Sequence, residues 1–257
     1  MSNEENVFPA FQIEDRTFSK VLLGHNPFLG YSYLSKARAK EYADRFSDPS
    51  RIEAIIVRAI ELGVRGMMLS TGNVRCERVV DALEAACNRT GVPIPTLIIV
   101  SRDFEEHLDL IKRANGQVAL IHGQITDALY NKGARNFKPE LDDLIRRIRS
   151  AGLVPAISTH NAGEVIPVAE PYDVAAVNTP INKIAWRMCP CEEMVLDAIR
   201  KTSKKVIAMK PLAMGRITPE DGMQYVLRTP DIDATVMGIA TVEEVEETLE
   251  VCRTALS

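Results

Sequence analysis

Long apolar runs are missing from this 257-residue chain. The longest, such as 97–100 and 118–121, fall far short of the roughly 18 residues that a bilayer-spanning helix needs, so no membrane span is expected. A basic excess is missing too. The 31 Lys and Arg stand against 35 Asp and Glu, giving a formal net charge of −4, whereas a nucleic-acid binder concentrates positive charge on one face. Cysteines number five, an odd count without framework spacing, which argues against a disulfide scaffold and suits a reducing compartment. Cys189 and Cys191 form the one close pair, and a C-x-C without further ligands reads as two reduced thiols rather than a zinc site. Residues 1–6 are polar and acidic, without the basic start and apolar stretch of a secretory leader, so a cytoplasmic protein is expected. Proline-, glycine- or serine-rich linkers are also lacking, as are G-x-G-x-x-G, G-x-x-x-x-G-K-[ST], H-E-x-x-H and G-x-S-x-G.

What the chain has is 46% hydrophobic and 26% charged residues, the balance of a globular domain. Its length suits one α/β barrel, a fold that runs to about 250 residues as a single domain. Two β-prone stretches, 8–13 and 17–24, flank a turn at Glu14, Asp15 and Arg16. Eight short apolar runs with a β-branched bias follow, at 20–23, 64–69, 96–100, 118–122, 154–158, 174–178, 205–210 and 234–238. Helical stripes separate them. The clearest spans 48–63 and lines up Ile52, Ile55, Ile56, Ala59 and Ile60, with Asp48 as N-cap, Pro49 in the first turn and Gly63 as a left-handed stop. Capping-box spacing marks Asn161 with Glu164 and Thr241 with Glu244. Eight alternations need crossovers that cover a parallel sheet on its faces, and the count favours a closed (β/α)8 TIM barrel, residues 1–257, with an N-terminal β-hairpin.

A barrel of this kind does its chemistry at the C-terminal ends of its strands. That face holds His25 and Asn26, then Ser70, Thr71 and Asn73, Ser101 to Asp103, His122 and Gln124, Thr159 to Asn161, Asn178, Asn182 and Lys183, and lastly Lys210 and Arg216. Three of the four histidines, His25, His122 and His160, fall there, while His107 lies in a helical stretch. Imidazoles gathered at one mouth suit acid–base work or metal ligation. Lys210 can be a Schiff-base nucleophile, a base or an anion-binding charge. Gly215, Arg216 and Gly238 occupy the last two strand–helix turns, where barrels commonly bind phosphate. The long connections 27–47 and 123–138 are candidate substrate loops. In the first of them Phe28, Tyr31 and Tyr33 form a candidate apolar lid.

These residues resemble the aldo-keto reductase superfamily, in a divergent form. The likeness is strongest at 206–215 and 236–245, similar to the family's seventh and eighth strands and the following helix. Residues 63–83, 120–122 and 152–161 resemble its second, fourth and fifth strands. The resemblance implies hydride exchange between NAD or NADP and a small carbonyl or alcohol substrate. It makes His122 the active-site histidine, with Ser158, Asn161, Asn178, Gly215, Arg216 and Gly238 around the dinucleotide. The family's Asp, Tyr and Lys are replaced, falling on Met68 or Leu69, on Asn73, and near Ser101 or Arg102. Glu243, Glu244, Glu246 and Glu247 stand where the family often places basic residues for a 2′-phosphate, which they repel. Two other readings stay open. One is a non-redox barrel enzyme (lyase, isomerase or metal-dependent hydrolase) using His25, His122, His160 and Lys210. The other is a non-catalytic ligand-binding relative.

Overall fold

The computed structural model describes residues 7–257; the polar segment 1–6 lies outside the described residues. The first two strands, β1 (Ala10–Ile13) and β2 (Arg16–Ser19), form an antiparallel hairpin, turned by Glu14 at φ 53°. Eight parallel strands follow in the barrel, beginning with β3 (Val21–Gly24), β4 (Met67–Ser70), β5 (Thr96–Val100) and β6 (Gly116–Ile121). A second small hairpin, β7 (Tyr130–Asn131) with β8 (Asn136–Phe137), precedes β9 (Val154–Ser158), β10 (Ala176–Pro180), β11 (Lys205–Met209) and β12 (Ala234–Gly238). The ring runs β3-β4-β5-β6-β9-β10-β11-β12 and closes where β12 pairs with β3, with Gly238 opposite Gly24. Adjacent barrel strands are thus consecutive barrel strands of the chain, joined by the helix-containing crossovers that parallel pairing needs.

Two cores divide the apolar residues. Inside the barrel, Leu22, Met68, Leu97, Leu120, Ala156, Ala176 and Ile207 pack together, and Phe11, Ile13 and Phe18 of the hairpin join them. The hairpin is therefore the barrel's plug. Outside, strand residues of the opposite parity meet the apolar faces of the helices, such as Ile52, Ile55, Ile56 and Ile60 of helix Pro49–Glu61. That helix begins as its sequence predicts, with the Asp48 carboxylate accepting from Ser50 N, and Gly63 turns the chain out of it at φ 93°.

Several expectations shift by a turn. The second barrel strand starts at Met67 rather than at residue 64, because Val64 N still donates to Ala59 O in the helix exit. The sixth starts at Ala176, two residues late, since Ala175 N is taken up by Pro155 O. His122 and Lys210 lie one residue beyond their strands. The connection 27–47 contains helix Lys36–Arg45, and 123–138 contains helix Gly123–Leu129 and the hairpin β7–β8. Phe28 is core, 1% exposed and edge-on to Phe46 at 5.1 Å, so only Tyr31 and Tyr33 of the expected lid reach the surface. Asn161 does not close a capping box: its Nδ2 donates to the Glu164 side chain at 3.0 Å, while its own N–H donates to Thr159 Oγ1. At the other site Thr241 Oγ1 does accept from Glu244 N, and Glu244 reaches past it to Ala240 N.

Candidate active site

Each strand end presents its side chain for a local reason. His122 follows β6 and opens helix Gly123–Leu129, where its Nδ1 accepts from Gln124 N at 3.2 Å. An accepting Nδ1 leaves the ring hydrogen on Nε2. Half-burial, together with the nearby His160 and Lys210, lowers the pKa of His122, so it is neutral near pH 7 and offers one N–H donor. His25 shows the other tautomer. Its Nδ1 lies 2.8 Å from Met68 O, and a carbonyl can only accept, so Nδ1 carries the hydrogen. Burial pushes the His25 pKa down to about 4, and His122 adds to the shift.

The third histidine stands in a chain of polar contacts. The Asp127 carboxylate lies 3.5 Å from His160 Nδ1 and also accepts from His160 N (3.1 Å) and Thr159 Oγ1. On the other side of the ring, His160 Nε2 is 3.4 Å from Lys210 Nζ. With a carboxylate facing Nδ1, that nitrogen holds the hydrogen and Nε2 faces the amine with its lone pair. Burial and the Arg187 charge bring the Lys210 pKa down to about 8, so part of it is a neutral nucleophile near neutral pH. Lys210 holds this position at φ 61°, although a residue before proline is ordinarily extended. After Leu212 at φ −90°, Ala213 and Met214 are left-handed again, at φ 45° and 60°. Such backbone costs on the order of 1–3 kcal/mol per residue and is typical of functional sites.

The four histidine and lysine positions expected at the mouth are thus one electrostatic cluster. Asp127 was not among them: it sits inside a helix, and only the packing of helix Gly123–Leu129 beside β9 brings it to His160. The sequence signal that points to it is weak, an acid five residues after a strand-end histidine. Tyr33 and Arg187 were missed as partners of Lys210. The Tyr33 ring centroid lies 5.1 Å from Lys210 Nζ and 6.0 Å from Arg187 Cζ. Among the described residues no three His, Cys, Asp or Glu side chains come together as a metal-binding group, and all five cysteines are free thiols.

Ser158 and Asn178 lie on neighbouring strands and bond each other, Asn178 Nδ2 donating to Ser158 Oγ at 3.2 Å. Asn178 Oδ1 is buried without a partner, an acceptor that a carboxamide could satisfy, so the nicotinamide end of a dinucleotide fits. The phosphate end does not. At the helix after β12, Glu244 Oε2 takes Ala240 N at 2.7 Å, Thr241 Oγ1 takes Glu244 N, and Glu243 and Glu244 fill the first turn. A Cβ on Gly238 would meet Pro27 at 3.0 Å, so the space there belongs to the protein. Gly215, at φ 84°, and the exposed Arg216 are joined to the histidine–lysine cluster by no hydrogen bond. A depression of about 370 Å³ between helices Ala162–Ala169 and Glu192–Lys201 is lined by none of the mouth residues.

Comparison with known proteins agrees with this architecture. No family model matches the chain, and no curated protein matches it. Solved structures do. A Pseudomonas aeruginosa protein assigned as an aldo-keto reductase superposes with a TM-score of 0.66 at 18% identity, covering 96% of each chain. A thermostable aldo-keto reductase solved with the inhibitor epalrestat gives 0.65 at 13% identity, covering 97% of each. At this identity what is shared is the fold: the chain is a closed eight-stranded parallel barrel of the same architecture as these aldo-keto reductases.

Proposed function

We propose that the protein is a non-redox enzyme acting on a small carbonyl compound through an imine formed at Lys210. The observation that carries this reading is the contiguous Asp127–His160–Lys210 array, a carboxylate orienting an imidazole that faces a buried amine. His160 takes a proton from the Lys210 ammonium, and the freed lone pair attacks the carbonyl carbon. The C–N bond forms, the C–O bond breaks, and oxygen leaves as water. Of the ammonium's three hydrogens one stays on the iminium nitrogen and two depart in that water, His160 shuttling them, so the net charge is unchanged. Asp127 stabilises the imidazolium that forms on the way. His122, a neutral donor through Nε2, is suited to polarise the carbonyl oxygen. The iminium then withdraws electrons from the adjacent carbon, the chemistry that lyases and isomerases exploit.

The test is borohydride reduction in the presence of glyoxylate or dihydroxyacetone phosphate, read by intact mass and peptide mapping. A reduced adduct on Lys210 that disappears in Lys210→Met is expected. Calorimetry with NADH and NADPH runs alongside. Saturable dinucleotide binding without any adduct at Lys210 would replace this reading by an oxidoreductase whose nicotinamide carboxamide meets Ser158 and Asn178.

A further inference from the structure

Arg187 is a guanidinium without an acid. It makes no hydrogen bond and no ion pair among the described residues; its contacts are the faces of Trp186, 5.3 Å from Cζ, and Tyr33. Several other arginines are paired, Arg113 with three carboxylates and Arg147 and Arg149 with two each. The turn that holds Arg187 is built for its place. Asn182 is fully buried and clamps the turn from within, accepting from Trp186 N at 2.8 Å and donating to Trp186 O at 2.9 Å. Ala185 and Arg187 both sit in the left-handed region, at φ 53° and 60°. Neither is glycine, so the conformation is imposed by the surrounding fold rather than by local preference. The same Tyr33 ring that faces Arg187 also faces Lys210. Two cations thus share one aromatic side chain at the mouth, and no carboxylate is paired with either. An aromatic-backed guanidinium with its N–H donors unspent matches a planar or tetrahedral oxyanion.

We propose that Arg187 is the specificity-determining residue of the mouth, binding a carboxylate or phosphate carried by the carbonyl substrate while its carbonyl carbon meets Lys210. The substrate class is then an oxo acid or a phosphorylated carbonyl compound. This rests on the reading of Lys210 as the nucleophile, and the experiment separates the two.

Glyoxylate and glycolaldehyde are small aldehydes that differ by one negative charge. The rate of borohydride-trapped adduct formation at Lys210 is measured for each below saturation, in the wild type, Arg187→Gln and Arg187→Lys. The ratio of the two rates removes any general effect of the substitution on the amine. The expected result is a ratio that falls about tenfold in Arg187→Gln, the size of one charge-assisted hydrogen bond, and recovers in part in Arg187→Lys. Inorganic phosphate should slow trapping of glyoxylate if the site takes either anion, and fail to do so if it takes carboxylates alone; both results keep Arg187 as the anion residue. Adducts at Lys210 with an unchanged ratio overturn the anion site and leave Lys210 standing. If neither aldehyde is trapped but calorimetric binding of glyoxylate depends on Arg187, the anion site stands and the nucleophile falls. Absence of both results removes both.

Discussion

Histidines 25, 122 and 160 carry the same side chain and do three different things, which the atom facing each ring decides. A carbonyl oxygen at 2.8 Å fixes His25 as a neutral donor in the core, an amide fixes His122 as an acceptor through Nδ1, and a carboxylate sets His160 toward the amine. For His25 this has a cost at low pH. Its folded-state pKa is about 4, below the ordinary 6.5, so between those values the unfolded chain binds the proton and the folded chain does not. Stability is therefore full above pH 6.5 and is lost as pH falls toward 4, by about 3 kcal/mol from this residue. Asparagine can keep a donor near Met68 O without titrating. Urea unfolding of His25→Asn should show a shallower loss of stability than the wild type over that interval; parallel curves would contradict the assignment. Lys210 has the same sign at higher pH, since its pKa is lowered to about 8. The adduct-forming rate should rise with pH and level off above about 8, and Arg187→Gln should move that inflection upward. An inflection at the ordinary lysine value would mean that the amine is not desolvated.

At the scale of elements, the barrel strands were readable because apolar β-branched runs and striped helices alternate without interruption. Strands β5, β9 and β12 fall where the pattern puts them, residue for residue. Others slip by two or three residues because helix-exit and entry bonds, such as Val64 N to Ala59 O, take groups that the apolar run alone assigns to a strand. The candidate site was readable only in part, for a related reason. His25, His122, His160 and Lys210 announce themselves by standing at strand ends. Asp127 and Arg187 belong to a helix and a clamped turn; the spacing of Asp127 from His122 is a weak signal, and the sequence around Arg187 carries none for the strand end it faces. The turn gives an element-scale prediction. Truncating the Asn182 clamp in Asn182→Ala leaves the Trp186 amide and carbonyl without partners, at a cost of about 2 kcal/mol in stability. Because Arg187 is the next residue, the preference for glyoxylate over glycolaldehyde should drop with it. A stability loss with the preference intact would show that Arg187 does not depend on the clamp.

The whole molecule places its hairpin plug and its histidine–lysine cluster at opposite ends of the barrel axis. The hairpin β1–β2 inserts Phe11, Ile13 and Phe18 into the barrel core at the end where the strands begin, and the histidine–lysine cluster occupies the end where they finish. Between them lie layers of apolar side chains from Ala156, Ala176 and Ile207 up to Met68 and Met209. Such a packed interior passes on the loss of a plug residue as reduced stability of the entire barrel rather than as a local change at the mouth. Phe18, 1% exposed, is the sharpest probe. Its truncation in Phe18→Ala should cost about 3–5 kcal/mol, the range for a buried aromatic side chain. At temperatures where the variant is still folded, the rate of adduct formation at Lys210 should stay within about twofold of the wild type, since the mouth keeps its own polar contacts. A large fall in that rate with the fold intact would mean that the plug sets the geometry of the mouth, and that the two ends of the barrel act as one unit.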